Sequence, residues 1–392
     1  MNPNRIKQQL RSFERLLTSY TLEEPLSRFL TRFFKENRQM GSNDRRTLSR
    51  WVYSYFRMGR ALPDLPVVER LAVAEYLCNS ESDLVQVLAS SLHETLEKPL
   101  VDKIDHLTTE YGFDLKSIFP LLTRSSAGLD SNLFLRSLFQ QPDLFIRVHP
   151  GKEREVTQHL AARGVVYRPL TDTCIALPNG TNLKQYPELT GKYQVQDLSS
   201  QQTGSYFRAS KGESWWDACA ASGGKSLLLL QTYPGVNLLV SDIRSSILRN
   251  LDERFDLAGI KHYRRKIIDL TKNAAVILGE EKFDGIIVDI PCSGSGTWGR
   301  TPEMMQLFDQ QKLQYFAALQ RSIVEHVVNH LKPNAPLIYI TCSIFADENE
   351  QQIAYLESLG LTLEQMQLLK GYENRADTMF VARLKKAEST KP

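Results

Sequence analysis

Apolar residues in the first third of the chain recur at intervals of three and four, as in Leu26, Phe29, Leu30, Phe33 and Phe34, then Val52 and Phe56, then Leu71, Tyr76 and Leu77. That spacing gathers them on one face of a 3.6-residue repeat, so residues 1–140 predict an all-helical domain. The segment GSNDRR at 41–46 breaks the pattern with Gly, Ser and Asn and offers caps for a following helix that begins near Asp44. Near residue 143 the texture changes. LFIRV (144–148) alternates like a strand, HPGKE turns, REVTQHLAARG reads as a helix stopped by glycine, and VVYRPL (165–170) reads as a strand again. This predicts a small α+β unit over 141–205.

From about residue 211 short apolar runs alternate with helical stretches, the pattern of a parallel sheet covered by helices, and the domain they predict spans 206–388. The runs are SWWDAC (214–219), NLLVSD (237–242), FDGIIVD (283–289) and APLIYITC (335–342), and each ends in a polar or reactive residue. Ligands of open α/β sheets bind beyond the carboxyl ends of the strands, so Asp217, Cys219, Asp242, Asp289 and Cys342 are expected to face one crevice. No internal repeat or low-complexity segment interrupts this order, and only the final KKAESTKP reads as a tail.

Composition narrows the function classes. At 392 residues the chain exceeds what one hydrophobic core holds, and 42% hydrophobic with 24% charged residues is the balance of a globular protein. No apolar run approaches the ~18 residues of a membrane span, and the polar start MNPNRIKQQLRSFERLL lacks the apolar core of a secretory signal, so a cytoplasmic protein without membrane contact is expected. Five cysteines, Cys78, Cys174, Cys219, Cys292 and Cys342, form an odd set without CxxC spacing, which argues against a disulfide framework and against a metal site. The net charge of +3 hides an asymmetry: residues 1–60 carry 13 Lys or Arg against 5 Asp or Glu, whereas 61–142 carry 6 against 12. The basic front of the chain reads either as a solvated helix face or as a phosphate-binding surface.

The first predicted strand of the large domain runs into DACAASGGKS. Its small residues Cys219, Ala220, Ala221, Ser222, Gly223 and Gly224, followed by Lys225, let backbone N–H groups approach a ligand, and the helix N-terminus that follows favours an anionic group. Gly224-Lys225-Ser226 matches the end of a P-loop, but Cys219 stands where its first glycine is required, so that reading fails. Asp242, about 20 residues on, is placed to accept hydrogen bonds from ribose hydroxyls, and Asp269, after YRRKII, is a third candidate for a nucleoside pocket. The turn is not the GxGxxG that a dinucleotide requires, which favours S-adenosylmethionine over NAD.

DIPCSGSG (289–296) and ITCS (340–343) carry the sharper chemistry, both at predicted strand ends. An isolated strand cysteine is most often a small buried hydrophobe. Two at adjacent strand ends beside an aspartate point to thiol chemistry, and Pro291 stiffens the turn that aims Cys292 into the crevice. A redox dithiol is the competing reading; it leaves a nucleoside-binding turn without purpose.

Together DACAASGGKS, DIPCSGSGT, YITCS, the upstream YQVQDLSSQ (193–201) and the closing TMFVARLKK (378–386) resemble successive motifs of the RsmB/Nop/Sun-type RNA cytosine-5 methyltransferases, over about residues 141–386. LFIRVHPGKE is similar to the small RNA-recognition-like subdomain of that family, and FFKENRQMGSNDRR to the NusB-like helical domain of many bacterial members. The resemblance implies a Rossmann-like class I methyltransferase fold, S-adenosyl-L-methionine as cofactor, and RNA as substrate and partner, ribosomal RNA of the small subunit first and transfer RNA as the alternative. Carried over by position, it implies Cys342 as the nucleophile, Cys292 as the cysteine needed for release, and Cys219 to Lys225, Asp242, Asp269 and Asp289 as cofactor-binding. Asp289 is also the candidate for hydrogen-bonding the edge of the base. Ser222 stands where the family usually has proline, Ile290 where it has alanine, and TWGRTPE (297–303) lacks one of two usual arginines. The competing functions are a catalytically idle RNA-binding assembly factor on the same scaffold, against which the intact cysteine pair argues, and a methyltransferase for protein or small molecules, which has no use for paired cysteines. A monomer is expected.

Overall fold

The computed structural model describes residues 3–388, so the end of the tail-like KKAESTKP lies outside the described residues. The chain forms two compact units: one from residues 3–123, Asp130–Gln141 and Thr297–Asp309, the other from Arg124–Leu129, Pro142–Gly296 and 310–388.

The first unit is helical. Its longer helices are Pro3–Ser19, Leu26–Glu36, Ser42–Arg57, Val67–Cys78 and Leu100–Tyr111. The residues picked out by the three-and-four spacing, Leu26, Phe29, Leu30, Phe33, Val52, Phe56 and Leu71, meet Phe13, Leu16 and Trp51 in one core. The helix expected near Asp44 begins at Ser42, behind Gly41. Asp44 instead accepts from Arg5 at 3.0 Å and Gln9 at 2.8 Å, tying two helices together. Part of the basic excess is structural as well. Arg57 is buried and donates to the Leu138 carbonyl, Arg50 pairs with the buried Glu75 at 3.0 Å, and Arg45 holds the Met40 carbonyl at 2.9 Å.

Thr297–Asp309, although it directly follows the DIPCSGSG motif, belongs to this helical unit. Glu303 accepts from the Leu26 amide at 3.2 Å, at a helix start where Pro25 supplies no side-chain cap. Gln306 donates to the Gly59 carbonyl and Arg60 to the Phe308 carbonyl, each at 2.7 Å, and Trp298 and Phe308 pack on Phe119.

The second unit holds two sheets. The smaller contains β1 (Leu144–Val148), β2 (Arg168–Pro169), β3 (Cys174–Leu177) and β4 (Tyr193–Val195) in the order β2-β3-β1-β4, with the helix Glu153–Ala162 packed on it through Val156 and Leu160. Of the expected strand VVYRPL only Arg168 and Pro169 pair; Val165 and Tyr167 turn into the small core instead.

The larger sheet contains β5 (Ser214–Asp217), β6 (Asn237–Asp242), β7 (Arg264–Ile267), β8 (Gly285–Asp289), β9 (Pro336–Thr341), β10 (Leu361–Leu369) and β11 (Met379–Lys386). Among the described residues its order is β10-β11-β9-β8-β5-β6-β7, with β7, β6, β5, β8 and β9 parallel and the β11 pairings antiparallel. Parallel strands covered on both faces need apolar residues on both. Trp216, Ile286, Val288, Leu337 and Tyr339 accordingly face one core, and Trp215, Ile287, Ile338 and Ile340 the other. The chain leaves β5 for β6 and β7 on one side and returns to β8 and β9 on the other, so the strand order reverses at β5. That switch point opens a crevice at the carboxyl ends.

Candidate active site

β5 ends at Asp217, and a turn through Gly223 leads into the helix Gly224–Thr232. Ala221 and Gly223 both have positive φ, +47° and +80°. A Cβ on Gly223 would stand 2.8 Å from Leu251 and Phe255, so that position needs glycine for space as well as conformation. The turn is held from β6, where the Ser241 carbonyl accepts from the Ala220 amide at 2.8 Å and Asp242 Oδ2 from the Ala221 amide at 3.1 Å. Arg244 fills the remaining acceptor positions of Asp242, its amide and Nε on Oδ1 at 2.9 and 3.0 Å and Nη2 on Oδ2 at 3.2 Å. Ser222 is held from outside: Arg254 Nη1 donates to its carbonyl and to its Oγ, both at 3.0 Å, and Arg254 is itself anchored on Gln194 of β4.

Beneath the turn Asp217 is buried. Its Oδ2 accepts from Ser226 Oγ at 2.5 Å, and its Oδ1 has no partner among the described residues. Burial pushes this carboxyl up to about 7, against the hydrogen bond from Ser226. Burial also raises the Cys219 thiol well above its usual value, helped by the charges of Asp217 and Asp242, so Cys219 forms part of the wall. Asp269 lies two residues past β7, where Oδ1 accepts from the amide and hydroxyl of Thr271; these bonds hold its carboxyl below the usual range.

The β8 and β9 ends meet beside this turn. Asp289 Oδ2 lies 3.0 Å from Lys225 Nζ, which also donates to Ser200 Oγ at 2.8 Å. Ser200 accepts from Gln196 at 3.1 Å, and Gln196 from the buried Arg147 of β1 at 2.7 Å. A polar chain therefore runs from the small sheet to Asp289. In register Asp289 stands opposite Ile340, which sets Cys342 two residues further along its neighbouring strand.

Cys292 Sγ and Cys342 Sγ lie 3.3 Å apart as free, half-buried thiols, too far for the ~2.05 Å of a disulfide. The hydrogen bond with Cys342 raises the Cys292 thiol well above its usual value, reinforced by burial and by the charges of Cys342 and Glu348. The two loops are locked to each other. The Gly296 amide donates to the Cys342 carbonyl at 2.9 Å, and the Thr378 amide to the Gly296 carbonyl at 2.9 Å. A Cβ at Gly296 would stand 1.9 Å from the Thr378 carbonyl oxygen and 3.0 Å from that of Cys342, so no other residue permits this approach. Beneath both loops the buried Glu348 accepts from Ser293 and Ser343.

Residues 206–372 match the family described as 16S rRNA methyltransferase RsmB/F. Over these residues the chain is similar to that family's methyltransferase domain. Its match spans Asp217, the glycine turn, Asp242, Asp269, Asp289 and both cysteines of the pair. The Ribosomal RNA small subunit methyltransferase B of Pasteurella multocida is 30% identical over 272 residues, which is 64% of this chain and 60% of the relative. That of Enterobacter sp. is 34% identical over 160 residues, 41% of this chain and 37% of the relative. The matches thus cover less than two thirds of these relatives' lengths. Among solved structures, that of PH0851 aligns over 93% of this chain and 95% of its own with TM-score 0.71 at 22% identity. NSun6 from Pyrococcus horikoshii, solved with SFG, aligns over 66% and 95% with TM-score 0.59 at 16% identity. At such identities these likenesses concern the fold alone, a Rossmann-like sheet.

Within the matched residues the structure brings Lys225 to Asp289 and Cys292 to Cys342 at the ends of neighbouring strands, and sets Asp242 under the turn. It leaves Asp269 at the rim. Sequence reasoning missed Glu348, Ser293, Ser343, Ser200, Arg244 and Arg254. The only trace of Glu348 was an acidic residue shortly after ITCS, which reads equally as solvated. Among the described residues no group of His, Cys, Asp and Glu is arranged to hold a metal ion, and no helix is long and apolar enough to cross a membrane.

Proposed function

We propose that this protein methylates carbon 5 of a cytosine in RNA with S-adenosylmethionine, and that small-subunit ribosomal RNA is the substrate, transfer RNA being the alternative. The observation that carries this reading is the 3.3 Å approach of two free thiols beside the Asp289–Lys225 pair. The names of the matched family and relatives support the substrate.

The residues present fit the cofactor. A turn with two positive-φ positions exposes backbone N–H groups at a helix start, and Asp217 keeps a buried carboxylate oxygen without a donor, as a bound amine or a bridging water would satisfy. Cys219 to Lys225, Asp242, Asp269 and Asp289 line this cradle. Asp242, held by the largely exposed Arg244 at the end of β6, is the candidate acceptor for ribose hydroxyls. When bound, S-adenosylmethionine supplies an electrophilic methyl group on a cationic sulfur.

Carbon 5 of cytosine is a weak nucleophile until a thiolate adds to carbon 6. Cys342 makes that carbon–sulfur bond. As it forms, negative charge builds on ring nitrogen 3 and the exocyclic oxygen, and Asp289, paired with Lys225, is the candidate group for hydrogen-bonding that edge. At release, Cys292, or a base that it activates, takes the carbon 5 proton. The electrons of the carbon–hydrogen bond restore the ring double bond, and the sulfur leaves carbon 6 with its pair as the Cys342 thiolate. A stacked cytosine hides the face attacked, so the target base is single-stranded or flipped out.

The test is transfer of labelled methyl from S-adenosylmethionine to ribosomal and transfer RNA that lack the modification, followed by nucleoside analysis. Label in 5-methylcytosine of small-subunit RNA is expected. Label confined to transfer RNA moves the substrate to the alternative, and absence of label from both overturns the reading.

A further inference from the structure

Two thiols 3.3 Å apart pose a problem of selectivity, since either could add to the base. Within this RsmB/F reading the answer lies beneath the loops, in a side chain that touches neither cysteine directly. Glu348 is 0% exposed. Its Oε1 accepts from the Ser293 amide at 2.7 Å and from Gln320 at 3.2 Å, and its Oε2 accepts from Ser293 Oγ at 2.5 Å and from Ser343 Oγ. Ser293 follows Cys292 and Ser343 follows Cys342, so one carboxylate spans both reactive loops. Gln320 ties the network to the start of the first loop by donating to the Pro291 carbonyl at 3.0 Å. Tyr339 of β9 fixes it from below, bonding the Glu348 carbonyl at 2.8 Å and Gln320 at 3.2 Å.

Burying a carboxylate is unfavourable unless its oxygens are satisfied, and a set of four donors converging on one side chain is a specific construction. A neutral side chain of the same shape could hold both loops as well. Burial raises the Glu348 carboxyl itself, against the hydrogen bonds from Ser293, Ser343 and Gln320 that favour its charged form, and what the ionised carboxylate adds is negative charge near Cys292.

We propose that Glu348 is a positioning residue that sets the spacing of the two cysteine loops and holds Cys292 as a thiol in the resting site, leaving Cys342 as the nucleophile. The charge of Glu348 is among the causes that raise the Cys292 thiol, after the Cys342 hydrogen bond and burial. Once Cys342 is bonded to carbon 6 its hydrogen bond and charge are withdrawn from Cys292, which can then lose its own proton to solvent and, as the thiolate, take the carbon 5 proton in the elimination step. Glu348 thereby orders the two thiols in time.

The test reads thiol reactivity and needs neither RNA nor cofactor, so it fails independently of the methylation assay. The free, full-length protein is treated with limiting iodoacetamide between pH 6 and 10, and peptides are quantified by mass spectrometry. In the wild type, alkylation at pH 7.5 is expected on Cys342 before Cys292; equal or reversed order overturns the proposal. In Glu348→Gln, shown to be folded by circular dichroism, the Cys292 profile is expected to move to lower pH, with about tenfold faster alkylation for each unit moved. A Cys292 profile that stays in place in the folded variant, or that moves together with that of Cys342, reduces Glu348 to a structural strut. If Glu348→Gln does not fold, Glu348→Asp, which keeps the charge on a shorter stem, is expected to leave the order Cys342 before Cys292 intact in the same alkylation assay. Loss of that order in Glu348→Asp overturns the proposal.

Discussion

Lys225 Nζ lies 3.0 Å from Asp289 Oδ2, joining the first residues of the helix after the cofactor turn to the end of the strand that leads to Cys292. Lys225 is itself buried, so its side chain is committed to Asp289 and Ser200. A preorganised donor at a developing negative charge is worth about 10²- to 10³-fold in rate. Lys225→Met, which keeps the stem, is expected to lower kcat by about that factor while changing the dissociation constant for S-adenosylmethionine less than about threefold, because the backbone of the turn is untouched. Calorimetry beside steady-state kinetics separates the two. Weakened cofactor binding with kcat preserved would place Lys225 in the cofactor cradle alone.

Asp217 gives a pH dependence of stability with a definite sign. Its carboxyl is raised by burial from 3.8 to about 7. A group raised in the folded state contributes stability that is fully present below its unfolded value and lost as the pH rises through the folded value. Between pH 4 and 8 the wild type is therefore expected to lose on the order of 4 kcal/mol at most from this group. Asp217→Asn removes the titration and keeps an acceptor for Ser226. Denaturant titrations at pH 5 and pH 8 should show the variant gaining on the wild type as pH rises; parallel curves would contradict the assignment.

Ser222, where the resembled family usually has proline, is braced by Arg254 on both its carbonyl and its Oγ. The rigidity that proline builds into the chain is supplied here by a side chain. Ser222→Ala keeps the carbonyl bond and is expected to weaken cofactor binding by less than the loss of Arg254 does, since it removes one of the two charge-assisted hydrogen bonds. Arg254→Met removes both bonds and should weaken it about tenfold or more, read by calorimetry. Unchanged affinity in Arg254→Met would show that the turn holds itself.

Strands buried on both faces were legible in the sequence because they are unbroken apolar runs. β6 coincides with NLLVSD, and β8 and β9 lie inside FDGIIVD and APLIYITC, while β1 was legible from the alternation of LFIRV. β10 was not legible: its middle is exposed and its register shifts between Leu363 and Gln365, so it carries no period. The three residues of β4 were too short to signal. Membership of Thr297–Asp309 in the helical unit had no sequence signal, since Glu303 and Gln306 read as surface residues until their partners near positions 26 and 59 are known. The reactive residues announced themselves through their motifs. The partners that set their chemistry did not: Ser200, Arg254 and Glu348 act across distances in sequence that spacing cannot encode.

In the proposed reaction Cys342 bonds to the base and Cys292 lets it go. The measurement that tests this most directly is denaturing electrophoresis of the protein after incubation with unmodified small-subunit RNA and S-adenosylmethionine. Cys292→Ala is expected to accumulate a covalent protein–RNA band that nuclease collapses to the free protein's mobility, whereas Cys342→Ala and the double variant form none. A covalent band in Cys342→Ala, or full methylation by it, would contradict the account.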